Sequence, residues 1–256
     1  MFRLLMCLRW RKWKMRYDIV VVGCGGTGSH YIKELGRLLY GKHYTEGDLR
    51  LILVDGDVVE EKNLIRQAFL KQDIGQNKAK VMAEILGQAY GVRAEYCDRY
   101  IDSAQDLKKL VREDAVVLLA GCVDNHQCRQ SMHDFYEGCQ DCIYMDSANE
   151  FSVGEVVVGS RIGGMEMYPD RGQYFPEVLK AKGPKRSEES CEALNMSEPQ
   201  HMLTNQAAAW ILLVNTARVL EGEWIGGIFF FDMYKCYCMD RTARREMHED
   251  RGTAEV

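Results

Sequence analysis

Residues 17–30, YDIVVVGCGGTGSH, constrain the fold more than any other part of this chain. A short apolar, β-branched run ends in glycine, and a polar–apolar periodic stretch over residues 27–40 follows. That order predicts strand, glycine turn and helix. Gly23, Gly25 and Gly28 form GxGxxG at the joint. Glycine there lets the backbone approach a phosphate, and the helix N-terminus supplies free amides and partial positive charge. The motif alone suits NAD, FAD and ATP equally.

The pattern then repeats. LRLILVDGD reads as a second buried strand whose carboxyl end delivers Asp55 and Asp57. A helix over 75–88, a weak strand in VRAEYC, a short helix through 107–111 and the apolar strand AVVLLAG complete the first half. Strands alternating with helices imply a parallel sheet covered on both faces. The second half differs: CIYMDSAN and VGEVVVGS are consecutive strands with a short turn, which predicts antiparallel pairing. Residues 163–200 read as a long polar loop, residues 201–220 as a helix, and GGIFFFDMYKCYC as a closing strand. The expected class is α/β, a Rossmann-like three-layer domain whose mostly parallel sheet continues into an antiparallel second half.

At 256 residues and 46% hydrophobic content, the chain is long enough for a sizeable core. Its net charge of −5 gives no electrostatic reason to expect nucleic acid or a membrane surface as the main partner. No apolar run reaches the length of a membrane span. Ten cysteines scattered beside a nucleotide-type loop read as reduced thiols of a cytoplasmic protein. Residues 1–16 are basic and lack the uninterrupted apolar core of a signal peptide, so they read as an arm or a mis-assigned start, with Met15 an alternative beginning. Residues 241–256 form a charged tail.

Three motifs beyond the glycine loop carry chemistry. After the second strand come Asp57, Asn63, Arg66 and Gln67, then Lys78 and Lys80 near the next helix start. Arg and Lys aimed at the glycine-loop crevice suit a triphosphate whose charge must be neutralised as pyrophosphate leaves, a need that a dehydrogenase lacks. Asp124 follows the apolar strand in LLAGCVDNHQ, on the edge where open α/β sheets bind ligands. It can hold Mg²⁺ through carboxylate oxygens or cap the helix that starts near Asn125, and the two roles are compatible.

Taken in order, GCGGTGS, DGDVVEEKNLIRQ, IGQNKA and CVDN resemble the ThiF and MoeB family of adenylating enzymes, relatives of the ubiquitin-activating enzymes. The resemblance covers residues 17–149 well and extends more weakly to 232. The GGTGS form and TNQAAA look most like the ThiF-type proteins of bacterial PRTRC-type systems. It implies an adenylation domain over 17–240, with a nucleotide-binding half (17–149) and a second half (150–240) containing the 163–200 crossover. Gly23, Gly25, Gly26, Gly28 and Asp55 would hold the nucleotide, Asn63, Arg66 and Lys78 the triphosphate, and Asp124 the Mg²⁺. The implied reaction is attack by the C-terminal carboxylate of a ubiquitin-like or sulfur-carrier-like protein on the α-phosphate of ATP, in a homodimer. A non-catalytic nucleotide-binding scaffold and an NAD(P)-dependent oxidoreductase are the alternative readings.

Family members often carry zinc on two CxxC pairs. Here Cys139 and Cys142 form one pair ahead of its expected place, and the C-terminal region offers the CxC of Cys236 and Cys238. Zinc is therefore a secondary expectation that requires the fold to bring these four together. Cys191, in SCEALNMSEPQHMLTNQA, resembles the family's crossover cysteine and is the candidate for accepting the activated acyl group. The N-terminal RYxRQ-like segment of many dimeric relatives is missing, and Arg9, Arg11 and Lys12 do not reproduce it.

Overall fold

The computed structural model describes residues 15–42, 47–182 and 200–241. Five parallel strands come first: β1 (Tyr17–Val22), β2 (Leu49–Val54), β3 (Glu95–Cys97), β4 (Val116–Gly121) and β5 (Cys142–Asn149). The chain then reverses into β6 (Val153–Ile162), which pairs antiparallel with β5, β7 (Met165–Tyr168) and β8 (Gly227–Asp232); β9 (Tyr237–Asp240) completes the edge. The order is β3-β2-β1-β4-β5-β6-β8-β9, with β7 also on β6. The chain winds outward from β1 in one direction and from β4 in the other, so the crevice above their carboxyl ends is the topological switch point where such sheets bind ligands.

Strand alternation sorts the core. Ile19 and Val21 face the layer of α1 (Gly26–Lys42), α2 (Lys78–Tyr90) and α7 (Met202–Leu220), packing with Tyr31, Leu35, Met82 and Leu212. Val20 and Val22 face α3 (Ala104–Lys108) and α4 (His126–Glu137), packing with Leu107, Met132 and Phe135. Both faces of β1 are thus covered, as its unbroken apolar run requires. Asp18 breaks the run at the amino edge, fully buried, but Arg112 lies 2.7 Å away and Arg50 3.5 Å. Pairing of this kind is what lets a charge stay buried.

The structure revises several sequence expectations. α2 begins at Lys78 rather than 75, because Gly75 takes φ +86° and Asn77 caps the helix by accepting from the Lys80 amide. Of VRAEYC, residues 95–97 pair as a strand. α3 lies slightly earlier than expected, at Ala104–Lys108. Residues 163–182 are not a loop: they hold β7, α5 (Arg171–Tyr174) and α6 (Pro176–Lys180). GGIFFFDMYKCYC is a hairpin of two strands, its turn fixed by Asp232 Oδ1, which accepts from the amides of Tyr234 and Lys235. No described helix is long and apolar enough to cross a membrane.

α4 is locked to α5 by a side-chain pair. His133 Nδ1 lies 2.8 Å from Oδ2 of Asp170, a fully buried carboxylate that also caps α5. The Asp170 hydrogen bond raises the His133 pKa above the ordinary histidine value. A raised folded-state value means that the contribution is complete below the unfolded pKa of about 6.5 and fades as pH rises through the folded one. In urea unfolding, the stability advantage of the native protein over His133→Gln should therefore shrink as pH rises from about 6 to about 8. Parallel profiles would remove this pair from the pH dependence.

Candidate active site

The site grows from the β1–α1 turn. Gly23 takes φ +89°, and a Cβ there would sit 2.6 Å from the Cys122 carbonyl oxygen. A Cβ on Gly28 would lie 1.9 Å from the Gly23 carbonyl oxygen, so the first helical turn closes on the loop only with glycine. Among the described residues, none accepts a hydrogen bond from the amides of Gly25, Gly26 or Thr27. The first turn of α1 contains no acidic side chain. Free amides at the positive end of a 17-residue helix make an environment that favours an anion.

Asp55 and Asp57 leave the end of β2 beside this loop. Asp55 Oδ2 accepts from the Cys24 amide at 2.6 Å and Oδ1 from the Asp57 amide at 2.8 Å. Both oxygens are thus engaged with backbone, and Asp55 braces the glycine loop against the acidic turn. Burial raises its pKa, an effect that nearby Lys78 opposes. Lys78 Nζ lies 3.0 Å from Asp57 Oδ2, and the Tyr100 hydroxyl donates to Asp57 Oδ1. Asn77 Nδ2 donates to the carbonyls of Asp55 and Asp57 at 2.7 and 3.1 Å, so the cap of α2 also fixes this turn.

The segment after β2 is tied to α1 by Ser29 Oγ, which accepts from the Ala68 amide at 3.0 Å, and by His30 Nε2, 3.1 Å from the Arg66 carbonyl. These contacts hold Arg66 beside the first turns of α1. Its half-buried guanidinium has no ion-pair or hydrogen-bond partner among the described residues. Asn63 is buried, its Oδ1 accepting from the Glu60 amide. Gln67 is buried as well, and its Oε1 is unpaired. Lys80 instead points outward to Glu84, 3.8 Å away.

Across the crevice, β4 delivers Asp124. The cap of α4 is Asn125, whose Oδ1 accepts from the Cys128 amide at 2.9 Å. Asp124 is therefore not the cap; its carboxylate is exposed, without a partner among the described residues. The loop beneath it is gripped by Arg129, which donates to the carbonyls of Val123 (2.6 Å) and Ser147 (2.9 Å) and lies 3.3 Å from Asp146. Arg171 Nε approaches the other Asp146 oxygen to 2.7 Å, an ion pair outside hydrogen-bond geometry, and its Nη1 meets Glu155 at 2.6 Å.

Two asparagines join the glycine loop to the second half. Asn149 Nδ2 donates to Thr27 Oγ1 (2.8 Å) and Asn205 Oδ1 (3.3 Å), and a Cβ on Gly26 would collide with the Asn205 amide at 2.6 Å. Asn205 Nδ2 and Asn149 Oδ1 are buried without partners. Sequence reading overlooked Asn77, Tyr100, Arg129, Asn149 and Asn205 as site-building residues. Only Asn77 carried a local signal, an amide side chain just before a helix.

The glycines, Asp55, Asp57, Asn63, Arg66, Gln67, Lys78 and Asp124 thus all lie along the carboxyl edge of the parallel strands. Cys191, Arg9, Arg11 and Lys12 lie outside the described residues. The four cysteines considered for zinc do not converge. Cys142 opens β5 at the amino edge, whereas Cys236 and Cys238 follow β8 at the carboxyl edge, about 26 Å away along an eight-residue strand. Among the described residues no cluster of His, Cys, Asp or Glu could hold a metal ion.

A doubly wound nucleotide-type crevice on a sheet completed by antiparallel strands defines the class of this protein. The chain matches the ThiF family over residues 10–220 and belongs to it. No curated protein matches. Among solved structures it is similar to Escherichia coli MccB with ATP (TM-score 0.61, 16% identity, 93% of this chain and 66% of that one). It is also similar to PaaA (0.62, 16%, 93% and 66%) and to the microcin C7 biosynthetic enzyme MccB with N-formylated MccA (0.58, 16%, 93% and 67%). At these identities the likeness establishes the fold, and the chain spans about two thirds of the length of these relatives.

Arg129→Met should be costly, because it strips one guanidinium from the buried Asp146 and releases two carbonyls. The expected loss is about 3 kcal/mol in chemical denaturation. A change near the 0.5 kcal/mol typical of surface substitutions, about the resolution of such a series, would refute the role given to Arg129.

Proposed function

We propose that this protein uses ATP and Mg²⁺ to adenylate the C-terminal carboxylate of a small protein or peptide, releasing pyrophosphate. One observation carries the reading: the unengaged amides of the glycine loop share the carboxyl edge of the sheet with two unpartnered charges, Arg66 and Asp124. Both are of the kind that a metal-bound triphosphate consumes. Family membership supports the same reading, as do the ATP and the MccA with which E. coli MccB has been solved.

In this reading the amides of residues 25–27 bind phosphate oxygens, and Asp55 keeps their loop in place without touching the ligand. Asn63 and Arg66 bear on the triphosphate. Lys78, 3.0 Å from Asp57, supplies the second cation. Gln67, buried with an unpaired oxygen, completes that wall. Asp124 fits Mg²⁺ as an exposed carboxylate, since this ion keeps several waters and takes one or two carboxylates. Bound there, the ion would supply neutralisation of the phosphate charge. The chain's own contribution is positioning and fixed positive charge, with little proton transfer required.

The finer parts of the proposal are that the partner is ubiquitin-like or sulfur-carrier-like, that the enzyme is a cytoplasmic homodimer of the PRTRC-associated branch, and that Cys191 receives the acyl group. Cys191→Ala should then still form adenylate while losing a thiol-sensitive adduct with the partner. An unchanged adduct would sink the transfer step.

Purified protein should melt at a higher temperature with ATP and Mg²⁺ and not with NAD or NADP, because a ligand of the native state alone stabilises it by mass action. Arg66→Ala and Asp124→Ala should each reduce partner-dependent pyrophosphate exchange by about 100-fold or more. Neither side chain has a structural partner among the described residues, so both variants should retain native stability. Near-normal turnover in both would overturn the site.

A further inference from the structure

The edge opposite the candidate active site carries chemistry that adenylation does not use. A half-open cavity of about 1050 Å³ lies there, lined among others by Lys108, Arg112, Phe135, Cys139, Gln140 and Asp141. That is ample for a small molecule, whose sites commonly measure about 300–1,000 Å³. Cys139 sits on its wall in the connection from α4 to β5, its amide donating to the Tyr136 carbonyl at 3.1 Å. Arg161 Nε donates to the Cys139 carbonyl at 3.4 Å, fixing the connection from the β6 side. Three residues on, Cys142 opens β5, fully buried and in register with Val117 and Arg161.

The two cysteines are spaced as CxxC, and each thiol lies near enough to bias the titration of the other. Cys139 lines the cavity, and Cys142 is buried at the start of β5. We propose that Cys139 and Cys142 form a redox-active dithiol site that reacts with low-molecular-weight disulfides entering this cavity. The environments differ in the sense such a pair needs. The Cys142 hydrogen bond lowers the Cys139 pKa, helped by Lys108 and Arg161 and opposed by burial and Asp141, whereas burial raises that of Cys142. A thiolate attacks and a protected thiol resolves.

The step balances with a small disulfide, RSSR, as oxidant. The Cys139 thiolate attacks one sulfur, forming Cys139–SR and releasing RS⁻, which takes a proton from solvent. Cys142 then loses its proton and attacks the Cys139 sulfur, forming the intramolecular disulfide and releasing the second RSH. Two protein thiols are oxidised and one RSSR is reduced to two RSH. Among the described residues, Cys24, Cys122 and Cys128 are raised by burial, and Cys236 and Cys238 lie at the far edge.

The sequence provides a clean readout, since trypsin releases residues 130–161 as one peptide with Cys139 and Cys142 as its only cysteines. The full-length protein would be incubated with oxidised glutathione, alkylated and digested without reduction. The expected product is that peptide lighter by two hydrogens, restored by dithiothreitol. Cys142→Ala, which lacks the resolving thiol, should stop at a mixed glutathione disulfide on Cys139 that dithiothreitol reverses. A peptide that keeps two alkylatable thiols would overturn the proposal. The wild-type measurement requires no substitution, so a poorly folding variant leaves it decisive.

Discussion

The carboxylate of Asp55 is the joint on which the upper edge of this molecule is assembled. It accepts from the Cys24 amide on one side and the Asp57 amide on the other, linking the turn after β1 to the turn after β2. Two short bonds from backbone amides satisfy both oxygens, and they offset part of the cost of burying this carboxyl group. Their consequence is geometric. The glycine loop cannot lift away from β2, so its free amides stay aimed into the crevice. Asp57 is fixed where it can hold both Lys78 and the Tyr100 hydroxyl. An acidic residue at the end of the second strand is usually thought of as a ligand group, yet here its oxygens are occupied by the scaffold.

A second constraint comes from across the sheet. The parallel half alone would leave the floor of the crevice unfinished, because the loop bearing Asp124 has no regular partner of its own. Arg129 fastens that loop to the end of β5, and Asp146, fully buried between Arg129 and Arg171, passes the load on to Glu155 of β6. Removing one member of such a cluster exposes the others to an uncompensated charge, so the antiparallel half is bound to the site energetically as well as by connectivity. The Thr27–Asn149–Asn205 contacts make the same link at the glycine loop, joining residues up to 178 positions apart.

The sequence made legible whatever rests on local pattern. β1, α1, β2, β4, α4 and the β5–β6 reversal follow from apolar runs, glycine punctuation and helical periodicity. Their carboxyl ends then place Asp55, Arg66, Lys78 and Asp124 on one edge. Other features depend on partners distant in sequence. β7 is a strand because the outer edge of β6 extends past the end of β8, and nothing in MEMY alone says so. Asn205 matters through the absence of a side chain on Gly26. Asp124 was the cap that the sequence suggested for α4, and only the Asn125 contact with the Cys128 amide shows that the next residue fills that role. The zinc expectation failed on strand direction, because the order of cysteines in a chain does not say which end of the sheet each one reaches.

That separation of edges has a chemical consequence. Each parallel strand runs from the amino edge to the carboxyl edge, so a residue preceding a strand and a residue following it lie a strand's length apart. Cys142 enters β5 at the bottom, and Asn149 leaves it at the top beside the glycine loop. Between them lies Asp146, held by both arginines. One strand therefore connects the dithiol to the nucleotide crevice through a tightly packed and ionically braced interior, which transmits displacement poorly unless it has two discrete arrangements. Nothing in β5 offers a second arrangement: all eight of its residues pair with β6, the first five also with β4, and six of them are buried. Chemistry at the lower edge is thus insulated from the crevice above, and the two sites are best understood as separate functions of one sheet.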